Sequence, residues 1–88
     1  MFIQTETTPN PSTLKFLPGI DVLGVGSANF PSLEEARGKS PLAEALFNMG
    51  GVTQVFLGAD FISVTKDESR DWQTMKPQVL ATIMDHFT

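Results

Sequence analysis

Val52-Thr53-Gln54-Val55-Phe56-Leu57, then Gly58-Ala59-Asp60, then Phe61-Ile62-Ser63-Val64-Thr65-Lys66 forms the most legible stretch of the chain. Two runs rich in β-branched and aromatic residues flank a three-residue connection that contains glycine, which is the pattern of a β-hairpin. Side chains alternate across a strand, so Val55 and Leu57 share one face with Ile62 and Val64. That face must be covered by something apolar, and the flanking sequence supplies the cover.

Upstream, Ser40-Pro41 opens a helix: Ser40 is suited to cap, and Pro41 sits where its missing N–H costs nothing. Leu42, Ala45, Leu46 and Met49 recur at helical spacing and predict its buried stripe. Asn48 and the Gly50-Gly51 pair predict its left-handed stop. Downstream, a longer helix is expected from about Asp71 to Phe87, with Trp72, Met75, Val79, Ile83 and Phe87 as its apolar stripe. Pro77 falls inside it and predicts a kink rather than two helices.

The N-terminal third reads as a second hairpin. Phe2–Thr7 and Thr13–Leu17 are strand-like, and Thr8-Pro9-Asn10-Pro11-Ser12 between them is a turn with two prolines that cannot donate to a ladder. Gly24 and Gly26 interrupt the next segment, so a bulged or edge strand is expected around Val25–Phe30. Ser32 and Glu35 have the spacing of a capping box for a short helical turn that Gly38 ends. Together these elements predict an α+β fold. It has one antiparallel sheet made of two hairpins and an edge strand, with two main helices packed on one face.

Composition excludes much. The chain has 88 residues, 41% of them hydrophobic and 18% charged, which fits one ordinary globular domain. It contains no cysteine, so there is no disulfide, no thiol nucleophile and no thiolate ligand for zinc or an iron–sulfur cluster. One histidine, His86, cannot form a cage of imidazoles. A net charge of −4, with six Lys and Arg scattered, argues against nucleic acid as a partner. No run approaches the roughly 20 apolar residues of a membrane span, and no leader-like segment is evident, so a bacterial cytoplasmic setting is the simplest expectation; a trimmed organellar protein is the alternative.

Catalytic constellations are not evident. Asp85 is adjacent to His86 on the expected helix and points away from it, so it does not orient the imidazole. Glu34-Glu35 suits the positive end of a helix better than acid–base chemistry. Asp60, Asp67, Glu68 and Asp71 lack the alternating ligand pattern of a calcium loop. Gly24-Val25-Gly26 lacks the third glycine and the Lys of a phosphate loop. No residue is assigned a catalytic, cofactor-binding or metal role. Two features suit contact with another protein. The stiff Pro9-Asn10-Pro11 tip beside Lys15 loses little entropy on binding. Trp72 has two readings: an exposed anchor at the Pro77 kink, or part of a small core.

Pro9-Asn10-Pro11 followed by Leu14-Lys15-Phe16-Leu17-Pro18-Gly19 resembles the opening of the N-terminal domain of Nfu-type iron–sulfur scaffold proteins. Ser40-Pro41-Leu42-Ala43 with Leu46-Phe47 resembles that family's first helix. Gly51-Val52 to Val55-Phe56, with Asp60-Phe61-Ile62 and Val64-Thr65-Lys66, resembles its second hairpin. Asp71-Trp72, Lys76-Pro77 and Val79 through Ile83 resemble its last helix. The resemblance implies a non-catalytic role in assembling or delivering clusters to recipient apoproteins. It also implies a 4Fe-4S cluster carried by a Cys-x-x-Cys pair in a separate C-terminal domain. No ligand assignment carries over to this chain. Iron binding is also ascribed to this part of the family, and here carboxylates are the only donors for it. Residues 1–88 are accordingly expected to form one such domain, cut from a longer two-domain protein. A stand-alone adaptor unrelated to clusters, and a weak carboxylate iron binder, are the competing readings.

Overall fold

The computed structural model describes all residues from Met1 to Thr88. In chain order the elements are β1 (Gln4–Thr7), β2 (Thr13–Leu17), β3 (Ala28–Phe30), α1 (Leu33–Ala36), α2 (Pro41–Asn48), β4 (Val52–Leu57), β5 (Ile62–Lys66) and α3 (Trp72–Phe87). The five strands form one sheet in the order β1-β2-β5-β4-β3, with every neighbouring pair antiparallel. Both expected hairpins are present, and the pairing of β2 with β5 joins them at the centre.

Register explains which side is covered. Phe16 lies opposite Ile62, Leu14 opposite Val64, and Val55 opposite Val64. These inward residues pack with Ala36 of α1, Leu42, Ala43 and Leu46 of α2, and Val79 and Ile83 of α3 in one apolar cluster. The helices thus lie on one face of the sheet, and burial of this cluster is the main force holding the layers together. The other face carries Glu6, Lys15, Ser63, Phe56 and Asn29 in one cross-strand row. It is finished by a stack of Phe56 on Phe61 at 5.9 Å, with Lys15 Nζ 4.3 Å above the Phe61 ring. Gly58 is glycine here because a Cβ would sit 2.6 Å from Phe61 Cδ1, inside the space that ring needs.

Several local expectations change. β1 begins at Gln4, so Phe2 and Ile3 precede the ladder. β3 covers only Ala28–Phe30: Gly24 and Gly26 both have φ +79°, a left-handed geometry that cannot continue a strand. Their segment is tied instead to the β4–β5 turn, Val22 and Gly24 donating to the Ala59 carbonyl and Leu23 to that of Gly58. The register irregularity of the sheet lies in β4, between Val52 and Gln54. In α2 the buried set is Leu42, Ala43 and Leu46, not Ala45 and Met49. Ala43 turns inward, into the apolar cluster that also holds Ala36 of α1. Only half of the capping box forms. Ser32 Oγ accepts from Glu35 N at 3.3 Å, while the Glu35 carboxylate pairs with Lys39 at 3.6 Å. The Pro77 expectation of one helix rather than two holds: Pro77 lies within one uninterrupted helix of 16 residues.

Candidate functional site

The β1–β2 tip is built from its own side chains. The Thr8 hydroxyl accepts from the Asn10 N–H at 3.2 Å and lies 2.8 Å from the Asn10 carbonyl and 3.0 Å from that of Thr13. Asn10 Oδ1 accepts from Ser12 N at 2.9 Å, and the Asn10 carbonyl from Thr13 N at 3.0 Å. These are the local side-chain bonds that make Thr and Asn good turn formers, and the two prolines fix φ on either side of Asn10.

Contacts from distant elements then clamp the tip. Lys66 N donates to the Ser12 carbonyl at 2.8 Å, and Trp72 Nε1 donates to the Pro11 carbonyl at 3.2 Å. The Trp72 ring meets Phe16 with centroids 6.1 Å apart and planes tilted by 59°. Trp72 is half-buried and reconciles both of its readings. Its body completes the core edge, and its N–H reaches the loop. The structure therefore unites Pro9, Asn10 and Pro11 with Trp72. Lys15 it places elsewhere, on the open sheet face above Phe61. That separation follows from alternation: Phe16 points toward Trp72, so its neighbour points away.

Sequence reasoning did not find the polar depression beside the tip, a hollow of about 320 Å³ lined by Asn10, Ser12, Thr53, Thr65, Lys66, Asp67 and Glu68. The signal that could have exposed it is the facing pair of threonines, Thr13 and Thr65, whose hydroxyls lie 2.7 Å apart. Asp67 accepts from the N–H and the hydroxyl of Ser69, each at 2.9 Å. Those bonds outweigh the opposing effect of desolvation and, with lesser contributions from Arg70 and Lys66, hold its carboxyl below the ordinary value of 3.8. A depressed acid stabilises the folded form above its ordinary value, and that contribution disappears as pH falls through the lower, folded value. An NMR acid titration should therefore show the Ser69 amide shifting with a midpoint below pH 3.8, and a midpoint above that value would contradict the assignment.

The other acids stay apart. Asp71 caps α3 by accepting from Gln73 N at 3.1 Å, and Asp60 lies in the β4–β5 turn. No three His, Cys, Asp or Glu side chains come together to hold a metal ion. With no thiolate, this donor set does not fit an iron–sulfur cluster. His86 is exposed and stands edge-on to Phe87 at 4.8 Å. No helix is long and apolar enough to cross a membrane.

The five-stranded antiparallel sheet with its helices on one face matches solved structures. Over 96% of this chain and 76% of the other, it is similar to a NifU-like protein from Saccharomyces cerevisiae, with 30% identity and a TM-score of 0.82. A Staphylococcus aureus protein known by crystallography gives 27% identity and a TM-score of 0.79, over 94% of this chain and 99% of that one. Residues 3–88 match the family model "Scaffold protein Nfu/NifU N terminal". The chain belongs to the Nfu/NifU N-terminal family of iron–sulfur scaffold proteins. It is 57% identical, over 99% of its length, to the protein of Drosophila ananassae named "NFU1 iron-sulfur cluster scaffold homolog, mitochondrial". It is 49% identical, over its full length, to "NifU-like protein 4, mitochondrial" of Arabidopsis thaliana. It spans about 30% of the length of these relatives. Both names place the relatives in mitochondria, which does not fit the expected bacterial cytoplasmic setting.

Proposed function

We propose that this chain is a docking module of an iron–sulfur scaffold, one that catalyses nothing itself and contributes by contact. Its partners are the cysteine-bearing C-terminal domain that carries a 4Fe-4S cluster in the Nfu resemblance, and the apoproteins that receive the cluster. The reading treats residues 1–88 as one domain of a longer protein, and the naming of its relatives supports an organellar setting.

The observation that carries the reading is the clamped tip. A partner binding Pro9-Asn10-Pro11 meets a loop whose shape is already fixed by Lys66 N and the Trp72 indole, so little ordering entropy is lost on binding. Lys15 contributes from the opposite face only to a partner that wraps the edge strand. The test is to titrate the ¹⁵N-labelled chain with the cysteine-bearing domain and, separately, with a recipient apoprotein. The amides of Asn10, Ser12 and Trp72 are expected to shift with at least one of them. Unmoved tip amides with every assembly partner would remove the docking role.

A further inference from the structure

The open end of the β1–β2 hairpin, remote from the tip, carries a cleft of about 490 Å³ lined by Phe2, Gln4, Leu17, Gly19, Ile20, Asp21 and Asp60. Its apolar lining is unusually exposed: Phe2 is 78% and Ile20 is 44% accessible. Large apolar side chains gathered in one concavity, rather than scattered singly, mark an interaction site. The cleft lies on the sheet face away from the helices, because Leu17 pairs with Gln4 and alternates with the buried Phe16.

Charge selects the occupant. The charged residues of the lining, Asp21 and Asp60, are both acidic, and neither makes an ion pair within the chain. Glu6 lies on the same face of β1 as Gln4 and faces Lys15 across the ladder; that lysine sits over Phe61. An apolar floor with an acidic rim fits a segment that presents one large apolar side chain flanked by Arg or Lys, and repels an acidic one. We infer that this cleft is a second docking site, which takes a basic-flanked apolar segment of a partner protein. It stands at the other end of β1 and β2 from the tip and does not depend on the tip's role. A single chain can therefore hold one protein at each end of the hairpin.

The experiment uses the ¹⁵N-labelled chain and three families of short peptides. All three share a leucine or phenylalanine centre and differ in having arginine, glutamate or glycine flanks. Arginine-flanked peptides are expected to move the amides of Gln4, Leu17, Ile20, Asp21 and Asp60, leaving Asn10 and Trp72 still. They should bind about tenfold more tightly than the glutamate-flanked set, a preference that shrinks with added salt. Asp21→Asn combined with Asp60→Asn should erase the preference without altering the melting temperature, since neither carboxylate makes a bond within the fold. Ile20→Ser should weaken every peptide. Equal affinity for the peptide families, shifts confined to the tip, or no binding by any arginine-flanked peptide would each overturn the inference. So would concentration-dependent shifts of the cleft amides without peptide, which would assign the cleft to a second copy of the chain.

Discussion

Phe16→Ala is expected to destabilise the fold by about 3–5 kcal/mol, the usual cost of emptying a buried phenylalanine site. Phe16 is fully buried on β2, between the edge strand β1 and the central strand β5; it lies opposite Ile62 of β5 and Thr5 of β1, and supports the Trp72 ring. Chains of 88 residues hold roughly 4–13 kcal/mol in all, so the loss takes a large fraction of the total. For a domain this size each kcal/mol corresponds to about 4–8 °C, so the melting temperature should fall by at least about 12 °C. Leu17→Ala, one residue along on the open face and only half-buried, is the control, with an expected loss near 1 kcal/mol. Urea unfolding of the two variants side by side gives the comparison. Equal losses would mean that the helices do not cover the face assigned to them.

Trp72→Ala and Trp72→Phe should separate the two jobs of one side chain. The phenylalanine variant keeps a ring against Phe16 and loses the indole N–H that reaches the Pro11 carbonyl. Its cost in stability is expected near 1 kcal/mol, the net value of a typical hydrogen bond. Truncation to alanine also removes the ring contact and should cost about 2–4 kcal/mol, less than a fully buried tryptophan because Trp72 is half-buried. If the tip docks partners, Trp72→Phe should weaken docking about tenfold despite its mild effect on folding, because the loop must then be ordered on binding. Calorimetric titration with the cysteine-bearing domain measures this. A phenylalanine variant that binds as tightly as the parent chain would show that the indole bond does not prepare the loop.

Much of the fold could be read from spacing alone. Val55, Leu57, Ile62 and Val64 alternate cleanly, and all are buried on the helix side. The Ser40 and Asp71 caps also form as their positions suggest, accepting from Ala43 N and Gln73 N. What escaped was decided by tertiary partners. Ala43 rather than Ala45 entered the core, in the same apolar cluster as Ala36 of α1, and no periodicity within α2 encodes the presence of α1. The segment around Gly24 left the sheet because two left-handed glycines turn it toward the Ala59 carbonyl. At the candidate site, the prolines and Trp72 were each visible. Their union was not, because it depends on a hydrogen bond between residues 61 positions apart. Lys15 looked like a neighbour of the loop in sequence, and strand alternation sent it to the opposite face.

The central seam between β2 and β5 also shapes how the molecule reaches its native state. Each hairpin closes locally, but Thr13 must find Thr65, 52 positions further along the chain, before the two halves share a ladder. The entropy of closing such a loop grows only with the logarithm of its length, so equilibrium stability loses little. Speed bears the burden: a chain whose decisive pairing is this remote folds more slowly than a helical bundle of equal size.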